Sequence, residues 1–166
     1  MDAIATLIVE ALKFIFPAYC ANATPVIVGG GLPLDFGKKF YDGKPIFGKN
    51  KTFRGFFFGL AIGTIVGILE ALYFPGYPFT FGFILSLGAL LGDLAGAFLK
   101  RRLGLASGEL LPVVDQIDFV LGALVFALPL NILYLELALT VLVITPPLHV
   151  LTNVAAYKLG LKTNPW

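Results

Sequence analysis

Five apolar stretches, at about 4–30, 55–74, 79–99, 117–135 and 137–157, constrain this chain more than any other feature. Each approaches the ~20 residues that a helix needs to cross a hydrocarbon core ~30 Å thick. Lipid offers no hydrogen bonds, so a spanning backbone must satisfy its own N–H and C=O groups, and such stretches become helices. The expectation is an all-α polytopic membrane protein, five transmembrane helices forming a single unit over 1–166. Composition supports it: 58% of the residues are hydrophobic and only 13% are charged. A soluble domain carries about 25% charged residues, and disorder requires low hydrophobicity.

The first stretch is impure. Glu10 and Lys13 lie one turn apart, and Pro17 and Pro25 are expected kinks. Ala21-Asn22-Ala23 resembles a signal-peptide cleavage site, but Met1-Asp2 supplies no basic leader, so the stretch is read as a span. Pro75-Gly76-Tyr77-Pro78 marks a tight turn between spans two and three. Spans four and five are joined around Asn131 to Glu136, while long polar connections run over about 32–54 and 100–116.

The basic residues set the orientation. Lys38, Lys39, Lys44, Lys49, Lys51 and Arg54 occupy the first long connection, Lys100, Arg101 and Arg102 open the second, and Lys158 and Lys162 follow the last span. With five spans, 11 of the 12 Lys and Arg residues fall on one face. The positive-inside rule makes that face cytoplasmic. The N-terminus is then outside, the C-terminus is inside, and both long loops are cytoplasmic.

Span two carries Gly55, Gly59, Gly63 and Gly67, and span three carries Gly88, Gly92 and Gly96. Residues four apart share a helix face, so each ladder forms a groove. Another backbone can press into it, as small residues allow in membranes. Admission of a lipid chain or a nucleotide is the second reading.

Asp93 lies seven residues before Lys100, roughly 10 Å inside the end of span three. A carboxylate at that depth is expensive and marks a functional site, unless a basic loop residue simply pairs with it. Asp115 and Asp118 are three apart on one face of the next helix, near its start. One such Asp is ordinary helix-start chemistry. Two, at the same membrane face as Asp93, ask for more.

His149 is the only histidine and Cys20 the only cysteine, so zinc and haem have no ligand set and no intrachain disulfide can form. His149, with Asn153 one turn later, reads as a helix-packing contact. Asp93, Asp115 and Asp118 instead make a hard, oxygen-only set that suits Mg²⁺, which also takes water and phosphate oxygens. Facing them are the basic residues of two loops, flanked by Gly37, Gly43, Gly48 and Gly55. That combination describes a polyphosphate site. The loop alone would equally suit anionic lipid. Gly43 to Asn50 nearly spells a P-loop, but Asn50 replaces the metal-binding Ser/Thr and no buried strand precedes it.

The run Gly92-Asp93-Leu94-Ala95-Gly96-Ala97-Phe98-Leu99-Lys100-Arg101-Arg102, then Pro112 and Asp115-Gln116-Ile117-Asp118, resembles the signature of membrane CDP-lipid synthases. The loops Leu34-Asp35-Phe36-Gly37-Lys38 and Asp42 to Gly55 resemble the archaeal branch, the CDP-archaeol synthases. Compared with the bacterial pattern, Ala97 replaces Ser, Gln116 replaces Arg, and Val113-Val114 stands where a Gly-Gly pair is usual.

The resemblance implies an Mg-dependent cytidylyltransferase that moves CMP from CTP to a polyprenyl-ether glycerol phosphate (digeranylgeranylglyceryl phosphate), at the cytoplasmic side of the cell membrane. On that basis Asp93, Asp115 and Asp118 are assigned to the metal, with Lys100 and Arg101 beside them in catalysis. Lys44, Lys49, Asn50, Lys51, Thr52, Arg54 and Gln116 are assigned to substrate binding. No nucleic-acid partner is expected. A small transporter or channel using Asp93 as its ion site is the competing reading, although no charged relay leads to the other face. A passive scaffold would leave the aspartates without a purpose. A CDP-alcohol phosphotransferase would concentrate four Asp in one extended motif that this chain lacks.

Overall fold

The computed structural model describes residues 2–162, 164 and 165. Five α-helices account for the fold: α1 Ala3–Val28, α2 Phe53–Tyr73, α3 Phe81–Arg102, α4 Val114–Ala127 and α5 Leu135–Lys158. Among the described residues there is no strand, only two isolated bridges, Pro33 with Thr52 and Lys39 with Pro45.

Four of the helices, α1, α2, α3 and α5, are long and apolar enough to cross a membrane. The fourth stretch differs from expectation. Its helix begins three residues earlier than expected and ends at Ala127, so it has 14 residues and spans about 21 Å. Pro129 is the cause, because its ring would clash with the carbonyl four residues back in a continuing α-helix. The chain passes through a 3₁₀ turn, Leu128–Leu130, and Asn131 closes it in the left-handed conformation, φ 55°. Elsewhere prolines are tolerated: Pro17 and Pro25 sit inside an unbroken α1, and Pro146 and Pro147 inside α5.

Large side chains fill the centre from α1, α3, α4 and α5: Phe14, Ile15, Phe81, Leu85, Phe119, Val120 and Val141 are all buried. Helix α2 packs by a different means. Its buried positions are Gly55, Gly59, Gly63, Gly67 and Glu70. A Cβ on Gly59 would stand 2.6 Å from the Ala21 carbonyl oxygen, and one on Gly63 would stand 2.7 Å from that of Pro17. Glycine here lets α2 lie backbone to backbone on α1 and, through Gly67 and Gly82, on α3. The second ladder does the same between α3 and α4. A Cβ on Gly88 would meet the Gly122 carbonyl oxygen at 2.6 Å, and one on Gly122 would meet the Gly92 Cα at 2.8 Å. Both ladders are therefore packing surfaces, and neither is an open groove. The α3–α4 contact also carries Asp118 across to Gly96.

Candidate active site

The segment between α1 and α2 has little regular structure, and one buried carboxylate organises it. Asp35 is 5% exposed. It accepts the backbone N–H groups of Gly37 at 2.9 Å, Phe47 at 3.0 Å and Gly48 at 2.8 Å. Burial opposes its charge, but these three donors prevail and hold the carboxyl below the usual carboxylate range. The result is a cinched loop that presses Gly48, at φ +97°, against Arg101 and Ser107, where a Cβ would not fit.

Arg102 clamps the same loop to the end of α3. Its guanidinium lies against both the Phe40 and Phe98 rings, at 4.9 and 4.8 Å from their centroids, and pairs with Asp42 at 2.5 Å. It also donates to the Pro45 carbonyl oxygen. Lys44 Nζ completes the clamp by donating to the Arg102 carbonyl oxygen at 2.8 Å.

Beyond α3 the chain turns back through 103–113. Arg101 is 4% exposed and donates to Ser107 Oγ at 3.0 Å and to the Ala106 carbonyl oxygen at 3.1 Å. Val113 then adopts φ 67°, ψ −53°, with Val114 N–H donating to the Pro112 carbonyl oxygen at 2.8 Å. This is a γ-turn on a β-branched residue, a strained conformation of the kind found at functional sites. It launches α4 so that Asp115 meets Lys100 and Asp118 meets Gly96 of α3.

A cavity of about 900 Å³ opens where these pieces meet. Lys49, Asn50, Lys51 and Thr52 line it from the first loop, Asp93, Lys100 and Arg101 from α3, and Asp115 and Asp118 from α4. Lys51 Nζ binds both oxygens of Asp93, at 2.6 and 2.5 Å. Lys100 Nζ binds Asp115 Oδ2 at 2.6 Å, and the Leu111 N–H donates to the same oxygen at 3.0 Å. Asp118 Oδ1 accepts the adjacent Phe119 N–H, at 2.6 Å.

Three of the expected site residues lie elsewhere. Lys44 is spent on the loop clamp. Arg54 is exposed on the first turn of α2 and does not line the cavity. Gln116 follows Asp115 by one residue, about 100° around the helix, and also lies outside. Thr52 reaches the cavity, but its hydroxyl accepts the Gly55 N–H at 3.2 Å and caps α2. Nor are the three carboxylates gathered into one ligand set. Among the described residues no three His, Cys, Asp or Glu side chains are placed to hold an ion, because Asp93 and Asp115 each rest on a lysine.

The cavity also has walls that the sequence motifs do not announce. Tyr19, Ser107, Glu109, His149, Asn153 and Lys162 all line it. Asn153 does contact His149, at 3.2 Å, as the one-turn spacing suggests, but the pair faces the site. In the sequence Lys162 bears only on orientation in the membrane. The signal that could have placed it here is Gly160, a helix-ending residue just past Lys158 that turns the chain back along α5.

The CarS-like family, described as CDP-archaeol synthase, matches residues 4–166. The chain belongs to that family. It is 49% identical over 165 residues to the CDP-archaeol synthase of Pyrococcus abyssi (strain GE5 / Orsay), covering 96% of this chain and 98% of that one. The Methanococcus aeolicus enzyme of the same name is 46% identical over 173 residues, covering 96% and 97%. A solved structure described as an intramembrane enzyme for archaeal membrane lipids biosynthesis superposes with a TM-score of 0.80 at 38% identity, covering 89% of this chain and 94% of that one. Family membership agrees with the cavity and gives the transporter reading of Asp93 no support. In this CarS-like chain the Asp93 carboxylate is paired with Lys51 at the wall of the cavity.

Proposed function

We propose that the chain is a membrane cytidylyltransferase: it transfers CMP from CTP to an isoprenoid-ether glycerol phosphate, with release of pyrophosphate. The observation that carries this reading is the cavity itself. Asp93 and Lys100 from α3 pair there with Lys51 from the first loop and Asp115 from α4, around room for two phosphorylated substrates. An oxygen of the lipid phosphate attacks the α-phosphorus of CTP, and the bond to the β-phosphate oxygen breaks. The attacking phosphate is already ionised at neutral pH, so no histidine base is required. What the reaction needs is approach of two polyanions, which positioning and neutralisation supply.

Lys51 and Lys100 are suited to that task. Each now holds a carboxylate and would exchange it for a phosphate oxygen. Asp93, Asp115 and Asp118 would hold Mg²⁺, whose hard, oxygen-seeking character suits the donor set and which would stabilise charge on the phosphates. Lys49 and Arg101 add positive charge at the same wall, and Asn50 a neutral hydrogen-bonding group.

The basic groups and the cavity share one membrane face, which the positive-inside rule places in the cytoplasm. Five crossings follow if α4 and its 3₁₀ extension, Val114–Leu130, count as the shortest, at roughly 25 Å. A lipid tail then stays in the bilayer while CTP enters from water.

The test is transfer of label. CTP labelled at the α-phosphate, Mg²⁺ and digeranylgeranylglyceryl phosphate are incubated with detergent-purified protein, and the lipid phase is extracted. Label in lipid that is lost with EDTA supports the reaction. Asp93→Asn, nearly isosteric, is expected to lower turnover at least 100-fold in a folded protein; full activity there would sink the metal assignment.

A further inference from the structure

The last turn of α5 is shaped to return the chain to the cavity. Gly160 adopts φ +72°, its N–H donates to the Tyr157 carbonyl oxygen at 3.0 Å, and the Leu161 N–H donates to that of Ala156 at 2.9 Å. This is a Schellman motif, which requires a left-handed residue and so selects glycine. It folds Leu161 and Lys162 back along the helix, and both line the cavity. Lys162 Nζ donates to Asn153 Oδ1 at 3.0 Å. With its oxygen so engaged, Asn153 turns its amide nitrogen to His149 Nδ1 at 3.2 Å. The His149 ring packs against Phe119, centroid to centroid 5.8 Å, next to Asp118.

We infer that Lys162, steered by Asn153 and His149, binds the phosphate of the lipid acceptor. The inference rests on the cytidylyltransferase reading and assigns one further substrate contact within it. Two observations select the lipid phosphate over the triphosphate. Helix α5 and the residues after it bring the apolar Leu148, Ala156 and Leu161 to the cavity lining together with Lys162, whereas the first loop brings Lys49, Asn50, Lys51 and Thr52. Helix α5 is also the least buried of the four long helices, 22% against 28% for α1 and α2 and 44% for α3. An anion arriving along α5 therefore brings hydrocarbon with it. Electrostatics agree. Burial pushes the Lys162 ammonium below the usual lysine range, Asp115 pulls the other way, and Lys51 and Lys100 repel it. A phosphate beside the ammonium would offset the repulsion from Lys51 and Lys100.

The experiment separates the two substrates. Initial rates are measured with digeranylgeranylglyceryl phosphate varied in mixed micelles at saturating CTP, then with CTP varied at saturating lipid. For Lys162→Met the lipid KM should rise about tenfold or more, the scale of a charged hydrogen bond, while the CTP KM stays within twofold. Lys162→Arg should recover most of the loss, and Lys158→Met, exposed and outside the cavity, should match wild type. Asn153→Leu, which keeps the lysine but removes the group that steers it, should raise the lipid KM severalfold and keeps the test open if Lys162→Met fails to fold. A Lys162→Met protein whose CTP KM moves instead, or whose two KM values are unchanged, overturns the assignment. A wild-type protein that labels no lipid overturns the cytidylyltransferase reading as well.

Discussion

Gly96 is where the packing of the membrane helices touches the proposed site, and Gly96→Ala tests that connection. A Cβ built there would lie 2.7 Å from Asp118 Cγ and 3.0 Å from its Cβ, with Oδ2 closer still. Ordinary contact begins near 3.4 Å, so the carboxyl must retreat by roughly 1 Å. All three obstructing atoms belong to one side chain, so Asp118 turns its carboxyl away and α4 gives by only a few tenths of an ångström. Misplacing a catalytic group by about 1 Å can lower a rate about 100-fold. Stability changes far less: overpacking costs about 1–3 kcal/mol, and alanine in place of glycine within a helix returns about 1 kcal/mol. The expected result is a kcat lower by about 100-fold with a thermal midpoint, in detergent, within several degrees of wild type. Gly122→Ala is the contrast. There a Cβ meets backbone, Gly92 Cα at 2.8 Å and its N at 2.9 Å, so α3 and α4 must part and the folded protein itself is lost. If Gly96→Ala keeps kcat within threefold of wild type, the placement of Asp118 is not what the ladder protects. If Gly122→Ala is as stable as wild type, the packing argument fails too.

Two further substitutions test the loops. Val113→Gly removes a side chain from φ 67° and should stabilise the protein by about 1 kcal/mol, strain of about 1–3 kcal/mol being partly offset by glycine's greater unfolded-state entropy; chemical unfolding measures it, and a loss of stability would refute the strain. Asp35→Asn replaces an acceptor of three N–H groups with an amide and should loosen the first loop by about 1–3 kcal/mol, read as faster proteolysis within 36–48 at neutral pH. The sign of its pH dependence follows from the depressed carboxyl. The folded loop binds the proton less readily than the unfolded chain, so the stabilisation is complete above the ordinary value of about 3.9 and is lost as pH falls through the lower folded value. Wild type should therefore converge on Asp35→Asn below about pH 4; equal susceptibility of the two at neutral pH would count against the role.

The elements of the fold are legible in the sequence wherever apolarity runs on for about 20 residues, and that legibility fails where one proline overrides it. Residues 128–135 are as apolar as a helix requires, yet Pro129 and a left-handed Asn131 end α4 early. Pro146 and Pro147 are no obstacle in α5, so proline alone does not announce a break. The glycine ladders are legible as faces but not as partners, because four-residue spacing identifies the side of a helix and says nothing of what lies against it. Only the fold shows α2 resting on Pro17 and Ala21, and Gly96 resting on Asp118.

The site divides in the same way. Asp93, Asp115, Asp118, Lys51, Lys100 and Arg101 stand out in the sequence because charge inside or beside an apolar span is costly and asks for a reason. Lys44 and Arg54 join them only by sequence neighbourhood, which an irregular loop need not respect. The pairing itself could not be foreseen, and it bears on how such a site waits for substrate. Three partly buried carboxylates at one membrane face repel one another, and lysines beside them without anions would do the same. Joining Lys51 to Asp93 and Lys100 to Asp115 settles both charges while leaving the pairs exposed to the cavity, with side chains 14–28% accessible. Partly buried pairs of this kind are close to break-even against their desolvation cost, so a triphosphate carrying its own cation can replace both partners with little net penalty. On the proposed reading the lysines would exchange carboxylate for phosphate, and the carboxylates would exchange lysine for the metal. On this account Lys51→Met should be inactive and should also weaken CTP binding by about tenfold or more, whereas Asp93→Asn, which leaves the lysine to phosphate, should bind metal-free CTP at least as tightly as wild type. Calorimetric titration of CTP with and without Mg²⁺ distinguishes the two variants, and parallel loss of metal-free binding in both would show that the pair acts as a fixed structural strut.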